Sequence, residues 1–264
     1  MGFFRQMGAA EIFEQVQLFN ALLAGRGNSS SSSSSSSSGS SNSDSNSKSN
    51  GSGSGRAMRV SNVVFMGMGE PFANYKNVMS AVRRLTTELG IGARHITIST
   101  VGITPRIRKL AEEDLQVGLA VSLHQTRDAN RSALMPVNNR YPLSDLLSAC
   151  HYYTNKTNRR ISFEWALIAG QTDGATTAHE LGQLLEGMLC HVNVIPLNPT
   201  DGFHGKPTSR KDVEIFCGVL KDVYGISATA RTRRGIDIDA GCGQLRSGLL
   251  ERRRKLREQE QGQE

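Results

Sequence analysis

After Arg59 the chain alternates between two hydrophobic patterns. Short runs of consecutive apolar residues give way to stretches where apolar positions recur every three or four, and then the runs return. The runs predict strands at 60–66, 95–100, 117–123, 161–168, 191–196 and 226–230. The periodic stretches predict helices at 75–89, 104–113, 143–155, 176–188 and 209–223. Thr104-Pro105 reads as a helix start, a capping side chain followed by proline at the first helical position. Nearly continuous apolar strands are expected when both faces of a parallel sheet are covered. Repeated βα units with right-handed crossovers then build either an open doubly wound sheet or a full or partial (β/α) barrel.

The chain is patterned differently before this region. Residues 8–24 read as an amphipathic helix with Ile12, Val16, Phe19 and Leu23 on one face. From Asn28 to Gly55 there is almost nothing but Ser, Gly and Asn, with one acid, Asp44, and one base, Lys48. Such a segment cannot bury enough apolar surface to offset its ordering entropy, so it is expected to be a disordered insertion.

Charge and cysteine content narrow the function classes. The 264 residues carry 31 Lys+Arg against 24 Asp+Glu, a formal net charge of +7. That excess suits a polyanionic partner such as RNA, and equally an ordinary basic protein. No run approaches the ~20 apolar residues of a membrane span, and Glu11 and Glu14 interrupt the N-terminal apolar run that a signal peptide would need. The cysteines are Cys150, Cys190, Cys217 and Cys242, with spacings that match no zinc or iron–sulfur pattern. Cys150, Cys190 and Cys217 read as structural. Cys242 is flanked by Gly241 and Gly243, which exposes its thiol.

Polar residues gather where strands end. Val63-Val64-Phe65-Met66-Gly67-Met68-Gly69-Glu70-Pro71 is a strand breaking into a glycine-rich loop that carries one carboxylate. Gly67 and Gly69 allow close backbone approach to a ligand, and Pro71 stiffens the exit. Ser99-Thr100 and Ser122-Leu123-His124 close the next two strands, Glu164 lies within the fourth, and Asn198 follows the fifth. Any one of these could be a turn former or a satisfied core polar group. Groups contributed strand by strand along one rim suit a barrel, whereas an open sheet would cluster them at one switch point.

In order along the chain stand Met66-Gly-Met-Gly-Glu-Pro71, Ile98-Ser-Thr-Val-Gly102, Val121-Ser-Leu-His124, Met135-Pro-Val-Asn138, Val194-Ile-Pro-Leu-Asn-Pro199 and Asp237-Ile-Asp-Ala-Gly-Cys242-Gly-Gln-Leu245. This set resembles the radical S-adenosylmethionine (SAM) methyltransferases that act on C-2 of an adenine in 23S ribosomal RNA, and often in transfer RNA. The resemblance implies an α/β fold, a partial (β/α) barrel of the radical-SAM type, with residues 1–27 as its first helix and 56–245 as the core. Residues 246–264 would form a charged C-terminal helix or tail. It further implies that Gly69 and Glu70 meet the methionyl amino end of SAM, and that Ser99, Ser122, Leu123, His124 and Asn198 hold its ribose and carboxylate. Cys242 would be the catalytic thiolate that carries the methyl group as a methyl-cysteine. Arg231, Arg233 and Arg234 could lower the pKa of that thiol, grip RNA phosphate or do neither. The implied partners are ribosomal RNA, transfer RNA and an external electron donor, with no membrane.

The chain also departs from the pattern. The family binds a 4Fe-4S cluster through Cys-x3-Cys-x2-Cys, and no such spacing occurs among these 264 residues. The expectation is therefore a sequence that starts just past the cluster loop and first strand, a piece of an active methyltransferase that would be inactive alone. The alternatives are a cluster-free pseudoenzyme that keeps an RNA- or SAM-binding surface, and an unrelated barrel such as an aldolase-like enzyme. Compartment is left open between cytoplasm and chloroplast.

Overall fold

The computed structural model describes residues 5–28, 58–67, 69–197 and 205–231. The serine-rich segment expected to be disordered falls almost wholly outside these residues, as do Asn198, Arg233, Arg234, Cys242 and the C-terminal tail. The chain divides into two compact units, Met1–Val63 with Lys76–Gly92, and Val64–Tyr75 with Ala93–Glu264.

The first unit contains helix α1 (Ala9–Asn28) and most of α2 (Tyr75–Thr87). Glu11 fixes the start of α1 by accepting from the Gly8 N–H at 2.7 Å and pairing with Arg5 at 2.6 Å. The expected apolar face of α1 is rotated in the structure. Phe13 is buried, while Phe19 stays 60% exposed. At about 100° per residue Phe13 and Asn20 lie within ~20° of each other, and Phe19 is turned about 100–120° away from them. Two contacts hold this orientation: the Arg84 guanidinium lies 4.0 Å from the Phe13 ring centroid, and Asn20 accepts from the Val60 N–H at 2.6 Å. On α2, Val78, Val82 and Leu85 recur at helical spacing and are buried.

The second unit is built on a six-stranded sheet. Its strands are β1 (Val63–Phe65), β2 (Ile96–Thr100), β3 (Gly118–Ser122), β4 (Ile161–Leu167), β5 (Cys190–Pro196) and β6 (Ser227–Ala230). Spatial order equals chain order, and the pairs from β2 to β6 are parallel. From β2 to β6 each crossover therefore steps to the next neighbour in one direction, which right-handed connections allow only with the helices on one face. A doubly wound sheet would reverse its order at a switch point. This one does not, so the sheet is singly wound, in the manner of a partial barrel.

The helices of this layer are α3 (Thr104–Ala111), α4 (Asp128–Leu134), α5 (Leu143–Thr157), α6 (Ala175–Leu185) and α7 (Arg210–Gly218), the last continuing into a wider turn at Val219–Val223. They cover the face made by Ile96, Ile98, Leu119, Val121, Phe163, Trp165, Val192 and Val194, all essentially inaccessible. Trp165 stacks on Phe216 of α7 with ring centroids 6.0 Å apart, and the Tyr153 hydroxyl of α5 donates to Val117 O at 3.1 Å.

The opposite, inner face corrects the expectation of strands that are apolar on both sides. It presents Thr97 and Ser99 from β2, Gly118, Ala120 and Ser122 from β3, Ser162, Glu164 and Ala166 from β4, and His191 and Asn193 from β5. These side chains are small or polar, and several keep part of their surface exposed. Two smaller differences concern helix starts. Thr104 is the first residue of α3 and makes no cap; the Thr100 hydroxyl, one turn earlier, accepts from the Gly102 N–H at 3.1 Å. Helix α4 was not expected at all.

Candidate functional site

The site forms where the inner face meets the C-terminal ends of the strands. Strand β1 ends in the glycine loop, where Gly69 takes φ +94°, a conformation open to glycine and strained for other residues. Glu70 follows and caps the short helical turn Pro71–Asn74. Its Oε1 accepts from the Phe72 N–H at 2.9 Å, and its Oε2 accepts from the Val101 N–H at 2.8 Å. One carboxylate thus ties the end of β1 to the end of β2. Burial raises its pKa above the ordinary carboxylate value, against the pull of those two N–H groups and the Thr100 hydroxyl.

Ser99 and Ser122 project from neighbouring strands onto the inner face. Ser99 is 8% exposed and Ser122 is half-buried. Among the described residues neither hydroxyl has a hydrogen-bond partner, while the Ser122 carbonyl accepts from Arg131 Nη2. The Leu123 side chain is buried, its N–H donates to Glu164 O at 3.1 Å, and its carbonyl accepts from the Gln125 N–H at 2.8 Å. Leu123 therefore anchors the rim through its backbone. His124 sits at φ +58°, uncommon for a residue with a side chain. Its Nδ1 accepts from the Ala166 N–H at 3.1 Å, which leaves the proton of the neutral ring on Nε2. Burial, and secondarily the charge of Arg131, hold its pKa down to about 4.

Arg131 organises this corner, and the sequence reading missed it. Its guanidinium is inaccessible to solvent and donates four hydrogen bonds: Nε to Leu123 O at 3.2 Å, Nη2 to Val101 O at 2.8 Å and to Ser122 O at 3.0 Å, and Nη1 to Asn138 Oδ1 at 2.9 Å. Asn138 in turn donates to Asp128 Oδ1 at 2.9 Å, and Asp128 accepts from the Leu143 N–H at 2.8 Å. The chain ends of β2 and β3 are thus fastened to α4 by one planar donor fork. Burial lowers the Arg131 pKa and Asp128 opposes that shift. The available signal was Asn138 in the Met135-Pro-Val-Asn138 segment, four residues past the end of an unrecognised helix.

On the same inner face, Glu164 is 5% exposed and stands in register with Ser122 on β3 and Asn193 on β5. Asn193 Nδ2 donates to its Oε2 at 2.7 Å, and the Ser162 hydroxyl reaches Oε1 at 3.4 Å. Burial raises the Glu164 pKa, and Asn193, Ser162 and the charge of Arg231 work against the rise.

The expected cofactors fare differently. Two unpartnered serine hydroxyls, a glycine loop and a row of small side chains fit a ligand carrying hydroxyls and a zwitterionic amino acid, as SAM does. The described residues do not fit an iron–sulfur cluster. Among them no three His, Cys, Asp or Glu side chains gather as metal ligands. Burial instead pushes the thiol pKa of Cys150 up to about 12 and of Cys190 to about 11, and raises that of the half-buried Cys217, which disfavours the thiolate a metal needs.

With this geometry in hand, three similarities are informative. The chain is 55% identical over 196 residues to a dual-specificity RNA methyltransferase RlmN of Myxococcus xanthus, an alignment covering 74% of this chain and 54% of that protein. A crystal structure of a radical SAM methyltransferase from Sphaerobacter thermophilus superposes with a TM-score of 0.76 at 42% identity, covering 92% of this chain and 63% of the other. A domain of a pyruvate-formate lyase-activating enzyme from Bacteroides vulgatus matches with a TM-score of 0.51 at 16% identity, a likeness of fold alone; 66% of this chain and all of that domain are covered. No family model matches the chain. The chain spans about half the length of the curated relatives it matches.

Proposed function

We propose that this chain, which belongs to the radical-SAM RNA methyltransferase family, forms the SAM-holding part of an enzyme that methylates C-2 of an adenine in 23S ribosomal RNA and in transfer RNA. The observation that carries the reading is the rim of the inner face. There Gly69, Glu70, Ser99, Ser122 and His124 converge from three successive strands, with two serine hydroxyls left unpartnered among the described residues. Bound SAM would supply the methyl group and the radical chemistry needed at a ring carbon that is not itself a nucleophile.

The residues of the chain have separate tasks in this proposal. Glu70 holds the glycine loop against β2, so that the Gly69 backbone can approach the methionyl end of the ligand. Ser99 and Ser122 offer hydroxyls that can each donate and accept. His124 is neutral near pH 7 and offers Nε2–H as a donor. Asn198 and Cys242 lie outside the described residues. Their proposed roles, Asn198 toward the ligand and Cys242 as the methyl-carrying thiolate, rest on the sequence resemblance. A thiolate suits the latter role because it is the strongly nucleophilic form of cysteine.

The lack of three gathered thiolates among the described residues favours a second reading, a SAM- or RNA-binding protein without catalysis. Cys242→Ala introduced into the intact gene separates the two. The methyltransferase reading expects 2-methyladenosine to disappear from ribosomal RNA digests analysed by mass spectrometry, while SAM binding to the purified protein is unchanged. Persistence of the modified base in cells whose only copy carries the substitution would remove Cys242 from the reaction. Absence of the base from unmodified cells would favour the non-catalytic reading.

A further inference from the structure

Glu164 is not accounted for by the rim just described. It stands on the inner face level with Ser122, and it is an acidic group almost completely removed from water. Burying a carboxylate is costly unless hydrogen bonds replace its hydration. An ionised carboxylate offers about four lone-pair positions. Among the described residues one is filled well, through Asn193 Nδ2 at 2.7 Å, and one poorly, through the Ser162 hydroxyl at 3.4 Å. Among the described residues Oε1 is therefore short of donors. The side chains that flank it along β4 are Ser162 and Ala166, and Ser122 stands beside it on β3. All three are small and only half-buried, so a ligand lying on the inner face can reach the carboxylate edge.

We propose that Glu164 is a specificity-determining residue of the SAM site, accepting hydrogen bonds from the ribose hydroxyls of the bound ligand. The inference rests on the reading that the inner face binds SAM. Among the donors on that ligand, the ribose diol suits Glu164 best. An ammonium group would face the like charge of Arg231, whose field already reaches Glu164. The adenine edge needs a donor as well as an acceptor, and an ionised carboxylate only accepts. Two neutral hydroxyls add donors to Oε1 without adding charge. A carboxylate reading a ribose hydroxyl is also the general solution in dinucleotide sites. Asn193 acts through Glu164: its amide occupies Oε2 and turns Oε1 toward the ligand, and its own Oδ1 has no partner among the described residues.

Titration calorimetry on the 264-residue chain tests this with S-adenosylhomocysteine and its 2′-deoxy and 3′-deoxy analogues. A hydrogen bond to a charged acceptor is worth about 1.5–3 kcal/mol, so the wild type is expected to lose about tenfold or more in affinity for at least one deoxy analogue. Glu164→Gln should weaken S-adenosylhomocysteine by a similar factor and shrink the gap between parent and deoxy analogue to about twofold. Glu164→Asp, which keeps the charge on a shorter arm, should recover part of the discrimination. A wild type that binds all three ligands equally overturns the role of Glu164 and leaves the SAM reading standing. So does a Glu164→Gln variant, folded by circular dichroism, that discriminates as the wild type does. Failure of the wild type to bind S-adenosylhomocysteine at all overturns both this inference and the reading of the inner face.

Discussion

Arg131→Met should be among the most damaging single substitutions outside the apolar core. The side chain is inaccessible, and its guanidinium serves three backbone carbonyls and Asn138 at 2.8–3.2 Å. Methionine fills similar space and donates nothing, so four acceptors lose a charged donor. Each stranded buried acceptor costs about 1–3 kcal/mol. Local relaxation and the second donors that some of these carbonyls have reduce the sum. Substitutions that break a buried charged network typically cost about 3–5 kcal/mol, and we expect that range here, against a typical total stability of about 5–15 kcal/mol. With a urea slope of about 2–3 kcal/mol/M the midpoint would fall by roughly 1–2 M. Arg131→Lys should lie between wild type and Met, because an ammonium cannot span acceptors arranged around a planar fork. The control is Arg127→Met, which removes an exposed ion pair with Glu180 and should cost about 0–1 kcal/mol. Midpoints for Arg131→Met and Arg127→Met that agree within error would refute the clamp.

Two further predictions concern the same corner. His124 has a folded pKa of about 4 against an ordinary 6.5, so its contribution to stability is complete above pH 6.5 and is lost as pH falls from 6.5 toward 4, by up to about 3 kcal/mol less the part screened where solvent reaches the ring. Glu70 and Glu164, with raised folded pKa values, act in the opposite sense, since their contribution is complete below pH 4.5 and declines as pH rises. The decisive measurement is thus the difference between wild type and His124→Asn in denaturation midpoints from pH 7 to pH 4. Asparagine tolerates the left-handed backbone, and a pH-independent difference would show that the ring is not held neutral. Gly102→Ala should destabilise by about 1–3 kcal/mol: φ is +108°, and a new Cβ would lie 3.1 Å from Leu146 Cδ1 and 3.3 Å from Arg131 Nη2. Combined with Arg131→Met, its cost should shrink by at least about 0.5 kcal/mol; strict additivity in the double-mutant cycle would mean that the methyl does not press on the guanidinium.

Much of this protein was legible in the order of its residues because the interactions concerned are local. Strands came from short apolar runs and helices from a period of 3.6, and each strand from β2 to β6 lies within a few residues of its expected limits. Glu70, Ser99, Ser122 and His124 could be placed on a rim because they follow or close strands, and a parallel singly wound sheet brings all such ends to one edge. Other features depend on partners far along the chain. Arg131 looks like a solvated charge until the carbonyls of Val101, Ser122 and Leu123 converge on it, and α4 is a short helix whose place is set by that contact. The apolar runs were also misleading about the second sheet face. Strands alternate, and the serines, Glu164 and Asn193 between the apolar residues all point the same way only once the register aligns Ser122, Glu164 and Asn193 in one row. Glu70 gained its brace to Val101 in the same manner, across 31 residues of sequence. Sequence determined which groups were available and roughly where each strand would end. Tertiary structure decided which stay open on the inner face and which are buried and bonded, because burial and hydrogen-bond satisfaction depend on neighbours that only the folded sheet assembles.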